Sequence, residues 1–157
     1  MYKMTLIHVG KSKSGPHKKL SNEYLKRLAP YIKIDDVIVK EEKFHEKSDR
    51  ERILLTESEK IKKAIPPESF VVVLEADGKT YSSEEFSEKI NFWSDQQTQH
   101  IVFILGGPLG LHRSIKKRAN TLLSFSPMTF PHDLAHVMLL EQLYRACTIQ
   151  TGKTYHY

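Results

Sequence analysis

Residues 101–112 have the sequence IVFILGGPLGLH. The unbroken apolar run 101–105 predicts a short strand buried on both faces. Three glycines and a proline follow at once. Such a break lets a ligand approach the backbone closely. In open α/β sheets, the carboxyl end of a strand is where ligands bind. A second continuous apolar run, FVVVLEA at 70–76, predicts another buried strand, ended by the turn pair Asp77-Gly78.

Outward from these strands the signals alternate. MTLIHV (4–9), IKIDDVIV (32–39) and LLSF (122–125) read as further strands. Residues 15–31 place Leu20, Tyr24, Leu25 and Leu28 on one side at helical spacing. A charged helix opens at Ser48 and runs to about Ala64, where Pro66-Pro67 stops it. Ser82 with Glu85 fits a capping box for a helix reaching about Gln97. Residues 112–120 and 133–150 supply two more helices. Strands alternating with helices predict an α/β fold, a mainly parallel sheet with helices on both faces. With no repeat, low-complexity tract or linker, 1–157 reads as one domain.

The last helix is apolar nearly all round, with a narrow polar strip that includes Glu141, Arg145 and Thr148. Glu141 and Arg145 have the favoured order for an i,i+4 ion pair. A helix of this kind must be buried on most sides. Packing against a second copy meets that need, so a homodimer is expected.

Composition narrows the class. Hydrophobic residues make up 39% and charged residues 27%, values of a soluble globular chain. No apolar run approaches the roughly 20 residues of a membrane helix, and the apolar part of the start is short for a secretory signal. The cytoplasm is the expected location. Cys147 is the only cysteine, so no intrachain disulfide is possible, and its apolar surroundings mark a core thiol. The net charge of +5 is uneven. Lys3, Lys11, Lys13, Lys18, Lys19, Lys26, Arg27 and Lys33 face one acid, Glu23, within 1–33, and Arg113, Lys116, Lys117 and Arg118 form a second cluster. Such clustering marks a phosphate-binding surface or a solvated helix face.

Familiar motifs are absent. VGKSKSG lacks the earlier glycine of a phosphate loop, because that position is Thr5. No G-x-G-x-x-G follows the first strand, which argues against an ordinary dinucleotide-binding domain. No ligand spacing supports a metal. In SFSPMTFPHDLAH (124–136), Pro127 and Pro131 stiffen a connection whose main chain, with Ser126 and Thr129, can hold an adenine edge. His132 lies at the helix start, where the dipole favours an anion and opposes imidazolium formation.

FILGGPLGL, LSFSPMTFPH, LLEQLYRA and TYHY, in this order and spacing, resemble the RlmH family of the SPOUT superfamily. HVGK and LEADGK extend the resemblance over essentially the full length. The resemblance implies a deep C-terminal trefoil knot, bound S-adenosylmethionine, a homodimer, and methylation of N3 of a pseudouridine in 23S ribosomal RNA of the large subunit or assembled ribosome. By motif, cofactor contacts fall at Leu74, Gly106, Phe125, Ser126, Pro127, Met128, Thr129 and Phe130. The positions near the methyl acceptor are His132, Arg145, Tyr155 and His156. Tyr155 and His156 are expected to reach the partner's cofactor loops. Three positions depart from the family pattern: His136 stands for Arg, Leu109 for a polar residue, and Tyr157 for a basic one. The alternative readings are a related RNA methyltransferase with another base or ribose target, and a non-catalytic basic RNA-binding dimer.

Overall fold

The computed structural model describes residues 2–10, 15–45, 47, 49–96 and 100–155. The chain runs β1 (Tyr2–Gly10), α1 (Pro16–Leu28), β2 (Ile32–Lys40), α2 (Arg50–Ala64), β3 (Phe70–Lys79), α3 (Ser83–Gln96), β4 (His100–Leu105), α4 (Arg113–Arg118), β5 (Thr121–Leu123) and α5 (His132–Gln150). The five strands form one sheet in the order β2-β1-β4-β3-β5, and every neighbouring pair is parallel. This is the α/β architecture expected from the alternation.

Period-2 alternation divides each central strand between two cores. Met4, Leu6, Phe70, Val72, Ile101 and Phe103 point to the layer of α1, α3 and α5. Ile7, Val9, Val71, Val73, Val102 and Ile104 point to the layer of α2 and α4. Every residue of β4 is buried, which is why its sequence is apolar without interruption. On the α3 side Trp93 stacks on Phe70 at 5.7 Å and meets Phe86 and Phe103 edge-on.

Caps fix the helix starts. Ser82 Oγ accepts from the Glu85 N–H (3.1 Å), and Glu85 Oε2 accepts from the Ser82 N–H (2.7 Å), the expected capping box. For α2, the cap is Asp49, whose Oδ1 accepts from the Arg52 N–H; the expected start, Ser48, lies outside the described residues. Just past α5, Gly152 takes φ 68°. There the Lys153 N–H reaches the Thr148 carbonyl and the Gly152 N–H the Ile149 carbonyl, a Schellman pair closing the last turn.

Two expectations change. Asp77-Gly78 is no turn: β3 continues through it to Lys79 and carries a bulge, with both Leu74 and Lys79 facing Leu123. Gly78 is there for closeness, since a Cβ on it would lie 2.7 Å from the Leu122 carbonyl carbon. Ser124 completes the seam, its N–H donating to the Lys79 carbonyl and its Oγ to the Ala76 carbonyl. The burial of α5 also differs. The chain itself packs α1, α3 and the sheet against that helix, so it covers much of the perimeter that the sequence assigned to a second copy. Leu134, Met138, Tyr144 and Ile149 keep part of their surface. Among the described residues, no helix is long and apolar enough to cross a membrane.

Candidate active site

Two loops leave the carboxyl end of the sheet on either side of β3. After β4, the Gly110 N–H donates to the Gly107 carbonyl (3.0 Å) and Gly110 takes φ 81°, a conformation suited to glycine. A Cβ on Gly106 would stand 2.9 Å from the Gly110 carbonyl carbon, so the first glycine is required by the loop's own closure. Arg50 donates to the Leu109 carbonyl at 2.8 Å, tying the tip to α2. After β5, the segment 124–131 turns at Ser126, whose Oγ accepts from the Met128 N–H, and Pro131 leads directly into α5.

Between these loops lies a pocket of about 670 Å³. Its floor is apolar, made by Leu74, Leu105, Leu111 and Leu123. Glu75 also lines it and pairs with Lys116 at 3.2 Å. Of the expected cofactor residues, Leu74, Gly106, Phe125, Ser126, Met128, Thr129 and Phe130 line this pocket. Pro127 lies in the same loop but is not part of the lining. His132 lies on the wall, against the end of β1: a Cβ on Gly10 would lie 2.8 Å from its Nε2. Its Nε2 is 3.2 Å from Asp133 Oδ1.

The other expected acceptor-side residues are elsewhere. Arg145 is 13 residues along α5 from His132, about 20 Å at helical rise. Its Nε donates to Glu141 Oε1 at 3.1 Å, the expected i,i+4 pair. Tyr155 folds back over the same end, its ring 4.7 Å from that of Tyr144 and its hydroxyl 3.2 Å from the Tyr24 hydroxyl. The Arg145 guanidinium carbon lies 5.1 Å from the Tyr155 ring centre. Burial, followed by the Tyr24 hydrogen bond, pushes the Tyr155 phenol up to about 12, so it remains protonated at neutral pH. The Glu141 hydrogen bond raises the Arg145 pKa further. His156 and Tyr157 lie outside the described residues. Within one chain, His132 and the Arg145–Tyr155 group thus lie at opposite ends of α5.

Sequence reasoning missed Tyr24 and Gly10, because each meets its partner only through tertiary packing. It also missed a cluster of His8, Asp36 and His136, whose members come from three different elements and form no spacing motif. The departure at His136 is buried there, so this side chain does not face a nucleic acid.

Compared with known proteins, residues 2–156 match the family model described as "Predicted SPOUT methyltransferase". The fold is similar to a solved structure titled "The structure of a probable methylase family protein from Haemophilus influenzae Rd KW20". The TM-score is 0.61 over 98% of this chain and 70% of that one, at 14% identity, a likeness of fold.

Proposed function

We propose, since the chain belongs to the SPOUT methyltransferase family, that it methylates N3 of a pseudouridine in 23S ribosomal RNA. The substrate is the large subunit or the assembled ribosome, as the resemblance to RlmH implies. The observation that carries this reading is the pocket between the two loops, whose sequences hold the most specific motifs of that resemblance.

SPOUT methyltransferases generally use S-adenosylmethionine, and the pocket suits it. Its volume lies within the range of small-molecule sites, ~300–1,000 Å³. Leucine floors suit an adenine face, and the main chain at 125–130 offers edge hydrogen bonds. Gly106 lets the loop close tightly on itself at the strand end, which shapes the rim of the pocket. Leu74, Gly106 and the loop residues Phe125, Ser126, Pro127, Met128, Thr129 and Phe130 would hold the cofactor. When bound, it supplies an activated methyl group on a sulfonium.

The remaining work belongs to the protein. It aligns N3 with the methyl group, which supplies several kcal/mol of the barrier. It also stabilises the negative imide left when N3 loses its proton. Arg145 suits that role, once part of its fork turns from Glu141 to the base or to a phosphate. Tyr155 offers a ring for a base turned out of its stack. His132 and His156 are the two candidates to accept the proton. The ~20 Å between His132 and Arg145 supports a homodimer in which Arg145 and the tail of one chain complete the pocket of the other. The trefoil knot of the family belongs to the same reading.

Mass mapping of ribosomal RNA from a deletion strain, with and without the restored gene, tests the target. Loss of one methyl-pseudouridine, and its return, is the expected result. A different lost modification points to another base or ribose target. Isothermal titration with S-adenosylmethionine tests the pocket, and absence of binding would favour the RNA-binding dimer.

A further inference from the structure

Away from the pocket, three donor side chains converge beneath the first turns of α5. Asp36 Oδ1, from β2, is 3.1 Å from His8 Nε2 on β1 and 3.0 Å from His136 Nε2 on α5. The three side chains are only 12%, 15% and 6% exposed for His8, Asp36 and His136. Their donor atoms all lie within 4.8 Å of one another. Ser21 Oγ, on α1, lies 3.3 Å from His136 Nδ1. His8 Nε2 is buried without a well-aligned hydrogen-bond partner among the described residues, although the Asp36 oxygen is near.

We propose that His8 Nε2, His136 Nε2 and Asp36 Oδ1 form a binding site for one divalent transition-metal ion of the zinc type. Two imidazole nitrogens and one carboxylate oxygen are a donor set that such ions take, with a fourth position left for water. Metal–ligand bonds of about 2.0–2.1 Å at tetrahedral angles separate ligand atoms by roughly 3.4 Å. The observed N–O separations, 3.1 and 3.0 Å, are close to that spacing, so the backbone already places the donors at ligand distance. The Ser21 hydroxyl occupies the outer nitrogen of His136, the type of partner that orients a ligating histidine. Without an ion, two imidazoles compete for one carboxylate oxygen and one of them is left misaligned. The two rings stack at 4.2 Å and 22°. To aim both lone pairs at one ion they must swing apart about χ2, a broad torsion for imidazole.

The site is structural rather than part of methyl transfer. His136 follows His132 by one helical turn, so an ion would pin the start of α5 to β1 and β2 beside the pocket wall. This inference is independent of the methyltransferase reading, and its test reads metal binding alone.

The test uses untagged full-length protein stripped with a chelator. Titration with Zn²⁺ should give one saturable site per chain. Co²⁺ should give the intense visible absorption of a four-coordinate ion, and Zn²⁺ should raise the thermal midpoint. Asp36→Asn, which keeps the side-chain shape, and His8→Ala should lose all three signals, while His17→Ala on the exposed face of α1 keeps them. Imidazole ¹⁵N spectra of the unmutated protein keep the test decisive should a variant fail to fold: Zn²⁺ must shift the Nε2 signals of His8 and His136. No saturable Zn²⁺ binding, shifts at other histidines, or binding retained in both site variants would overturn the proposal.

Discussion

Gly10 carries no side chain, yet it sets where His132 can be. A methyl group there would press to 2.8 Å on the imidazole Nε2. Gly10→Ala is therefore expected to lower kcat by about 10²-fold through displacement of His132, with S-adenosylmethionine affinity in calorimetry close to that of the parent. Arg145→Ala removes the permanent cation proposed for the imide and should cost about 10²–10³ in kcat; an unchanged rate would sink that role. Cys147 gives a prediction about pH. Burial pushes its thiol from 9.0 up to about 11. A raised pKa means that the neutral form stabilises the fold fully below pH 9. That contribution disappears as pH rises through about 11. Urea denaturation between pH 8 and 11 should show a steeper alkaline loss for the parent than for Cys147→Ala. At this scale the sequence was readable wherever a residue meets a chain neighbour, as in the Glu141–Arg145 pair. It was silent where the partner is remote, as for Tyr155 with Tyr24, since no local period encodes a contact 131 residues long.

The elements were legible because the two periodicities are clean. Both continuous apolar runs became central strands, and the Ser82–Glu85 box opened α3 where expected. Asp77-Gly78 misled because glycine has two uses, a turn conformation and a close approach, and the local sequence is the same for both. The close approach at the β3–β5 seam makes a testable difference. Gly78→Ala drives a carbon into β5 backbone that has no rotamer to yield, and should cost about 1–3 kcal/mol in urea denaturation. A neutral substitution would restore the turn reading.

For the whole molecule, the pocket was readable because each of its two loops is one unbroken stretch of sequence that follows a strand. A division of the site between two chains was expected from the tail motif, and the length of α5 between His132 and Arg145 is consistent with it. That division has a direct test. Inactive His132→Ala and Arg145→Ala chains, mixed under subunit exchange, should recover about a quarter of the parent activity if each site draws on two chains. Half of the exchanged dimers are mixed, and each mixed dimer holds one intact site. No recovery would mean that both residues act within one chain.

The sheet order also governs the sequence of events in folding. β1 lies between β2 and β4, so one of its edges can pair early while the other waits for residues 100–105. Closing so long a loop delays that pairing, and parallel sheets assembled from distant strands fold slowly. On an emerging nascent chain, the MTLIHV edge stays open until β4 arrives. During that interval it offers a ready template for another chain's strand. The hazard of aggregation thus belongs to synthesis, and overexpression yield should respond to whatever shields β1 in those seconds.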